Sequence, residues 1–230
     1  MSASAGGRIP LNRARVLESA VAVADASGLE ALSMRSLADT LGVVPMALYK
    51  HVANKEELLD GMVDVVVGEI EPPPRGTDWK PAVRQRILSA RAALQRHPWA
   101  SRVIESRSTP TPAVLAYLDS MIGLFREGGL SADLTHHVMH ALGSRILGFT
   151  QELFTAAPAA DPQAQAAMAG ELAVRFPRVA EIAMAAAHVD DSVVGSGCDD
   201  TFEFEFALDL LLDGIEKLHR QSWTSAKDRP

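Results

Sequence analysis

The side chains with the clearest chemistry stand in one short stretch, Ser33 to Lys55, which reads SMRSLADTLGVVPMALYKHVANK. Tyr49 and Lys55 carry a hydroxyl and an ammonium group that donate to phosphate oxygens, and the ammonium of Lys50 suits either a phosphate or a guanine edge. The plain alternative is a half-buried ring and solvated amines. Beside the helical pattern of the same stretch, contact with nucleic acid is the favoured interpretation.

The elements that must position these residues are two short helices joined by a tight turn. An apolar, helix-compatible run containing Leu37, Ala38 and Leu41 is interrupted by Gly42, and a second run begins at Pro45. Gly42 suits a sharp turn with little steric room, and a proline is tolerated in a first helical turn because its missing amide hydrogen has no partner there. This layout is typical of a helix-turn-helix.

Both helix starts carry residues suited to DNA. Ser33 is a natural amino-terminal cap, which places Met34 and Arg35 in the first turn of the first helix, where exposed amides and a guanidinium can clamp a phosphate. Taken by itself, Arg35 favours a solvated surface charge; the helix-turn-helix pattern reverses that preference and favours the clamp. Pro45 and Met46 open the second helix and favour apolar contact, for example with a thymine methyl group.

Composition predicts an all-α fold. The chain has 230 residues, of which 47% are hydrophobic and only 5% aromatic, and no strand pattern or internal repeat is evident. The triple proline at residues 72–74, followed by Arg75-Gly76, is the clearest boundary. We therefore expect a helix-turn-helix domain at residues 1–54, a connecting helix at 55–71, and a larger helical domain at 72–230.

The distribution of charge removes an objection to DNA binding. The formal net charge is −7, but residues 8–55 contain six basic and four acidic side chains, so this piece is locally positive.

The single cysteine, Cys198, cannot form an intrachain disulfide, and no apolar stretch approaches the length of a membrane span. We expect a cytoplasmic protein that does not enter a membrane.

The larger domain reads as a series of helices. Apolar spacing predicts helices near residues 78–95, 98–106 and 111–127, then one capped by Ser131 that runs to about Phe154 with both faces apolar. A helix near residues 171–187 should be broken or kinked at Pro177. The last helix, at about 201–220, carries more apolar surface than one neighbour hides.

Three histidines, His136, His137 and His140, invite a metal interpretation because their spacing puts His140 on one helix face with each of the others. A zinc site needs a third ligand from elsewhere, and none is evident at helical spacing. We favour polar lining of a ligand pocket over a metal site, and we expect neither a metal nor a cofactor.

The residues from Leu11 to Val66 resemble the DNA-binding domain of the TetR family of bacterial repressors, and most of all the subgroup around the tetracycline repressor. The matching features are LN at the start, SGL at the end of the first helix, R-x-L-A-x-x-L-G from Arg35, and L-Y-x-H-V-x-N-K from Leu48. Beyond Pro72 the resemblance rests on helix order, Trp79, the segment EGGLS and the apolar last helix.

The resemblance implies a repressor that a small molecule releases from a double-stranded DNA operator. It implies a homodimer through the helices near 131–154 and 200–220, and a ligand-driven tilt of the helix after Lys55. By family position, the residues that would face DNA are Ser33, Met34, Arg35, Pro45, Met46, Tyr49, Lys50, His51 and Lys55.

The resemblance also implies an effector pocket, although not one for tetracycline. Counting from Trp79, the position of the histidine that helps bind magnesium-tetracycline falls on Ile104, while Glu152 holds the acidic position near the metal. The effector therefore stays unidentified. The residues that we assign to this pocket are Ile104, Met121, Phe125, His136, Met139, His140 and Glu152.

The competing hypothesis is a helical small-molecule or metal-dependent enzyme with an accessory helix-turn-helix. It requires a nucleophile, a general base or a metal constellation, and the sequence offers none apart from the histidine trio. We therefore assign no catalytic residue.

Overall fold

The computed structural model describes residues 10–149, 170–171, 173–186 and 200–227, and every regular element within those ranges is helical, which confirms the all-α prediction. The α-helices follow one another in chain order: α1 Arg13–Ser27, α2 Met34–Leu41, α3 Pro45–Leu48, α4 Lys55–Gly68, α5 Trp79–Arg96, α6 Trp99–Ser106, α7 Pro112–Glu127, α8 Ala132–Leu142, α9 Pro177–Ala186 and α10 Asp200–Arg220.

By its internal contacts the chain forms two compact units, one of residues 1–149 with 216–230 and one of residues 150–215. In the first unit α1 packs on α2 and α4, α2 packs on α3, and α4 also packs on α6 and α7. α4 thus packs both on α1 and on the helices that follow the helix-turn-helix in its unit. Its buried stripe includes Leu58, Met62 and Val66.

Helix ends follow their capping residues. The Asn12 side chain accepts a hydrogen bond from the Arg15 amide at 2.8 Å, and the Asn54 side chain accepts one from the Glu57 amide at 2.8 Å, so α1 and α4 begin where the sequence predicts. α4 ends at Gly68, a little before the triple proline. α9 begins at Pro177, which confirms the predicted break.

The helix after Ser131 is shorter than predicted. It ends at Leu142 instead of continuing to about Phe154, because Gly143 adopts φ 48° and the chain enters a 3-10 turn over Gly143–Leu147. The change of direction lets the Ile146 carbonyl accept a hydrogen bond from the Tyr117 hydroxyl at 2.5 Å. Burial raises the pKa of Tyr117 despite the Arg86 guanidinium over its ring, so the hydroxyl stays a donor.

The segment after this turn is held against α5. The Arg91 guanidinium donates to the Gly148 carbonyl at 3.3 Å, and a Cβ on Gly148 would lie 2.4 Å from Arg91 Cα. Only glycine fits there.

A similar close approach joins two features of the family resemblance. A Cβ on Gly128 would lie 2.4 Å from Cγ of Trp79, and the Trp79 ring contacts Phe125.

Candidate nucleic-acid interface

The turn between α2 and α3 is fixed by local chemistry. Ser33 and Ser36 cap α2 reciprocally: each hydroxyl accepts a hydrogen bond from the other's backbone amide, at 3.0 and 2.9 Å. Gly42 ends the helix in the left-handed region at φ 66° and ψ 35°, where a side chain is disfavoured. The Val43 amide then bonds the Ala38 carbonyl at 3.0 Å, which turns the chain into α3.

α3 is anchored by one buried residue. Leu48 is fully buried, and its carbonyl accepts hydrogen bonds from the amides of His51 and Val52 at 2.8 and 3.0 Å. Regular α-helix therefore stops at Leu48, while the turn that follows brings Val52 back to the core. We call residues 44–52 the reading segment. Its two buried apolar residues decide which side chains point outward.

The predicted DNA contacts lie on the surface of this part of the chain. Met34 and His51 are half-buried and the others are exposed, Tyr49 to 45%. We call this set the reading surface; it comprises Ser33, Met34, Arg35, Pro45, Met46, Tyr49, Lys50, His51 and Lys55.

Within the described part of the chain, the cations of the reading surface have no anion to neutralise them. Arg35, Lys50 and Lys55 form no ion pair with any residue that the structure describes. The acids that follow Lys55 are occupied instead: Glu56 pairs with Arg107, and Glu57 accepts a hydrogen bond from the Ala53 amide at 2.7 Å. The positive charges are therefore available to phosphates.

Sequence reasoning missed one member of this region, Val44. It precedes α3 and is 68% exposed, close to the 72% of Met46. A valine followed by proline gave no polar signal, and its neighbour Val43 is half-buried. The feature that draws attention to Val44 is its large exposed apolar side chain, which only the structure reveals.

A second polar cluster, also missed, lies where α1 and α4 meet the corner between α5 and α6. His97 is 8% exposed, with Nδ1 2.9 Å from Asp25 Oδ1 and Nε2 3.2 Å from Glu69 Oε1. The Trp99 indole donates to the same Asp25 oxygen at 2.7 Å. We call these four residues the joint. Only an imidazole with a hydrogen on both nitrogens donates to both carboxylates.

Electrostatics reinforce the joint. Partial burial raises the pKa of Glu69, but hydrogen bonds and charge from Arg96 and His97 lower it by more, so the pKa lies below its ordinary value. The Arg96 guanidinium is 2.7 Å from Glu69 Oε2. The end of α4 is thereby tied to α5 by charged groups, in addition to apolar packing.

α4 is tied to its neighbours along its length as well. Arg107, which follows α6, pairs with Glu56 and lies 2.8 Å from Asp60 Oδ1. The Asp64 carboxylate accepts a hydrogen bond from the Ala113 amide at 3.3 Å, at the start of α7. A shift of α6 or α7 would therefore reach α4, which begins at Lys55 of the reading surface.

The predicted pocket residues fall into different environments. Met121 and Phe125 are fully buried on α7, one turn apart, while Ile104 on α6 and Met139 on α8 are half-buried. His136 and His140 are exposed, since the buried stripe of α8 is formed by Leu134, Thr135, Val138 and Leu142. Glu152 lies outside the described residues. The pocket assignment stays a prediction.

The histidine rings lie close together on α8. The ring centroids of His136 and His140 are 4.7 Å apart, and those of His136 and His137 are 5.2 Å apart. His137 also meets the edge of Trp223. Within the described ranges no group of three or more histidine, cysteine, aspartate or glutamate side chains is placed to hold a metal ion.

A helix-turn-helix whose outer cations pair with no described residue, joined through α4 to a helical body, is characteristic of DNA-binding transcriptional regulators. In the described part of the chain no helix is long and apolar enough to cross a membrane.

The chain belongs to the TetR family of bacterial regulatory proteins. The family model for that amino-terminal domain matches residues 16–62, and the model described as the tetracyclin repressor-like carboxy-terminal domain matches residues 71–219. The resemblance seen in the sequence is confirmed. The chain is accordingly a ligand-responsive, DNA-binding transcriptional regulator of the repressor type.

Individual relatives agree with this assignment. The HTH-type transcriptional repressor DrrR1 of Streptomyces coeruleorubidus is 31% identical over 226 residues, 95% of this chain and 82% of the relative. The structure of apo ActR from Streptomyces coelicolor is 27% identical with a TM-score of 0.72, covering 94% of this chain and 99% of that one. ActR in complex with actinorhodin is 26% identical with a TM-score of 0.68, covering 91% and 98%.

Proposed function

We propose that the reading surface binds an operator near the regulator's own gene, with Arg35, Tyr49 and Lys55 on phosphates and Lys50 on a phosphate or a guanine edge. The observation that carries this proposal is the charge arrangement: the reading-surface cations lack internal partners among the described residues, while Glu56 and Glu57 beside them are engaged. Ser33, Met34, Pro45, Met46 and His51 would complete the contact.

The symmetry of the operator follows from that of a homodimer. We infer that the helices near residues 131–154 and 200–220 pair with their copies, as the family resemblance implies. Within residues 150–215 this is supported by an exposed apolar stripe on α10, where Phe202, Phe206 and Leu210 are 62%, 55% and 58% exposed at a spacing of four. A two-fold dimer would read a near-palindrome with half-sites roughly 34 Å apart, or a multiple of that.

Release of the operator DNA would start when an effector binds in its pocket. We assign Ile104, Met121, Phe125, His136, Met139, His140 and Glu152 to it, and because Ile104 stands where a histidine would help bind magnesium-tetracycline, we expect tetracycline not to bind. Actinorhodin, bound by the ActR relative, is the first probe. Movement of α6 or α7 would reach α4 through Arg107 and Asp64, and α4 would carry Lys55 with it.

The remaining features belong to the same proposal. The protein would act in the cytoplasm without entering a membrane, need no cofactor or metal, and catalyse no reaction. Its functional division would fall at the triple proline, with the DNA-binding domain at residues 1–54, the connecting helix at 55–71, and the ligand-binding and dimerisation domain at 72–230.

A footprint on the DNA flanking the gene tests the proposal. Purified protein should protect a near-palindromic segment, and one of the compounds added in turn, beginning with actinorhodin, should abolish the protection. Tetracycline with magnesium serves as the comparison and should have no effect. Absence of any protected segment, at salt low enough to favour binding, would refute the assigned DNA contacts.

A further inference from the structure

The residues that open the reading segment lack polar side chains. They are Val44, Pro45, Met46 and Ala47. In a helix-turn-helix the first residues of the second helix contact base edges in the major groove. A side chain reads a base edge either through a hydrogen bond or through apolar contact; none of these four side chains donates a hydrogen bond, and only the Met46 sulfur is a weak acceptor. Sequence information that they carry therefore comes chiefly from apolar contact.

Two of the four residues project into solvent. Val44 is 68% exposed and Met46 is 72% exposed, whereas Leu48, which follows them, is fully buried. Side chains exposed to this extent leave apolar surface in water, and covering that surface with another apolar group lowers the free energy. The buried Leu48 and Val52 hold the backbone, so the two outer side chains are presented by a fixed segment.

DNA offers one apolar group in the major groove, the 5-methyl of thymine. The cations Arg35, Lys50 and Lys55, unpaired among the described residues, belong to the same helix-turn-helix and mark DNA as the occupant of its surface. We propose that Val44 and Met46 read thymine methyl groups in each operator half-site, an inference that rests on the proposed function.

Uracil provides the test, because it keeps every hydrogen-bonding group of thymine and lacks only the methyl. Each thymine of the footprinted operator is replaced by uracil in turn, symmetrically in both half-sites, and binding is measured by fluorescence anisotropy at fixed salt. We expect one or two positions per half-site at which binding weakens roughly fourfold for each methyl removed, hence roughly sixteenfold for a symmetric pair.

Variants identify the side chains responsible. Val44→Ala and Met46→Ala should each reduce the thymine preference at its own position, since the shorter alanine side chain covers less of the thymine methyl. Both residues are largely exposed, so folding should be unaffected. Leu115→Ala is the matched control, because Leu115 is an apolar residue 52% exposed on α7, and it should keep the full thymine preference.

Two results would overturn the proposal while leaving the proposed function intact. One is equal binding of thymine and uracil at every position of an operator that the protein still protects. The other is an undiminished thymine preference in both Val44→Ala and Met46→Ala. Failure to bind the flanking DNA at all would instead overturn the proposed function and this inference together.

Discussion

The reading surface and the joint use similar residue types in opposite ways. On the reading surface, His51, Tyr49 and Lys50 have no hydrogen bond or ion pair with another described residue through their side chains. In the joint, His97 lies between two carboxylates, at 2.9 and 3.2 Å, and one of them also accepts from Trp99. Polar groups without internal partners are available to a ligand, whereas satisfied ones stabilise the fold.

Substitutions in the two regions should therefore affect different properties of the protein. Substitution on the reading surface should weaken operator binding without lowering the free energy of unfolding. Substitution in the joint should lower the free energy of unfolding, because it removes hydrogen bonds or charge from a cluster whose members are bonded to one another.

The largest effect on stability is expected from His97→Ala. The change leaves Asp25 and Glu69 without the imidazole between them and should lower the free energy of unfolding by about 2 kcal/mol. Urea denaturation followed by circular dichroism measures this change. The matched control is His51→Ala, a half-buried histidine of the reading surface, which should unfold like the wild type and bind the operator less tightly. Equal destabilisation by the two substitutions would remove the distinction between the regions.

The two tyrosines sharpen the same contrast at a smaller scale. Tyr117→Phe removes the donor to the buried Ile146 carbonyl and should cost about 1–2 kcal/mol of folding free energy. Tyr49→Phe removes an exposed hydroxyl, so thermal unfolding should be unchanged while operator affinity falls by a few fold, corresponding to about 0.5–1 kcal/mol. A thermal melt of each variant measures the change in stability, and an operator titration measures the change in affinity. A lowered melting temperature in Tyr49→Phe would contradict the assignment of Tyr49 to the reading surface.

The smallest effect is expected from Glu69→Gln and depends on pH. The pKa of Glu69 is lowered in the folded chain, so its carboxylate stabilises the fold above the ordinary glutamate pKa and loses that contribution as pH falls through the lowered value. Because the side chain is partly exposed, the difference at neutral pH should be only about 0.5–1 kcal/mol.

Denaturation of wild type and Glu69→Gln at pH 7 and near pH 3 should show the difference shrinking at the lower pH. Glu30→Gln controls for a general effect of charge, since Glu30 is exposed and 3.7 Å from an equally exposed Arg102. A difference that grew toward low pH would give the wrong sign for a lowered pKa.

Local signals in the sequence predicted most of the reading surface. Ser33, Gly42 and Asn54 act through neighbours no more than four residues away, so cap and turn rules suffice for them. The joint was not predictable in this way, because His97 meets partners 72 and 28 residues distant.

The early end of α8 has a similar explanation. The helical pattern continues past Gly143, but the contact of Gly148 with Arg91, 57 residues earlier in the chain, favours a turn. Apolar periodicity reports that a face is buried and carries no information on which distant residue covers it.

The salt dependence of operator binding tests the central claim most directly, since neutralisation of phosphates by the cations of the reading surface releases counterions. For wild type, log K should fall with log salt, and Lys50→Ala and Lys55→Ala should each flatten the slope by about 0.9 for every phosphate that the variant no longer neutralises. Lys80→Ala is the control, because Lys80 Nζ lies 2.9 Å from Glu216 Oε2, and it should keep the wild-type slope. Unchanged affinity and slope in both Lys50→Ala and Lys55→Ala would contradict the account.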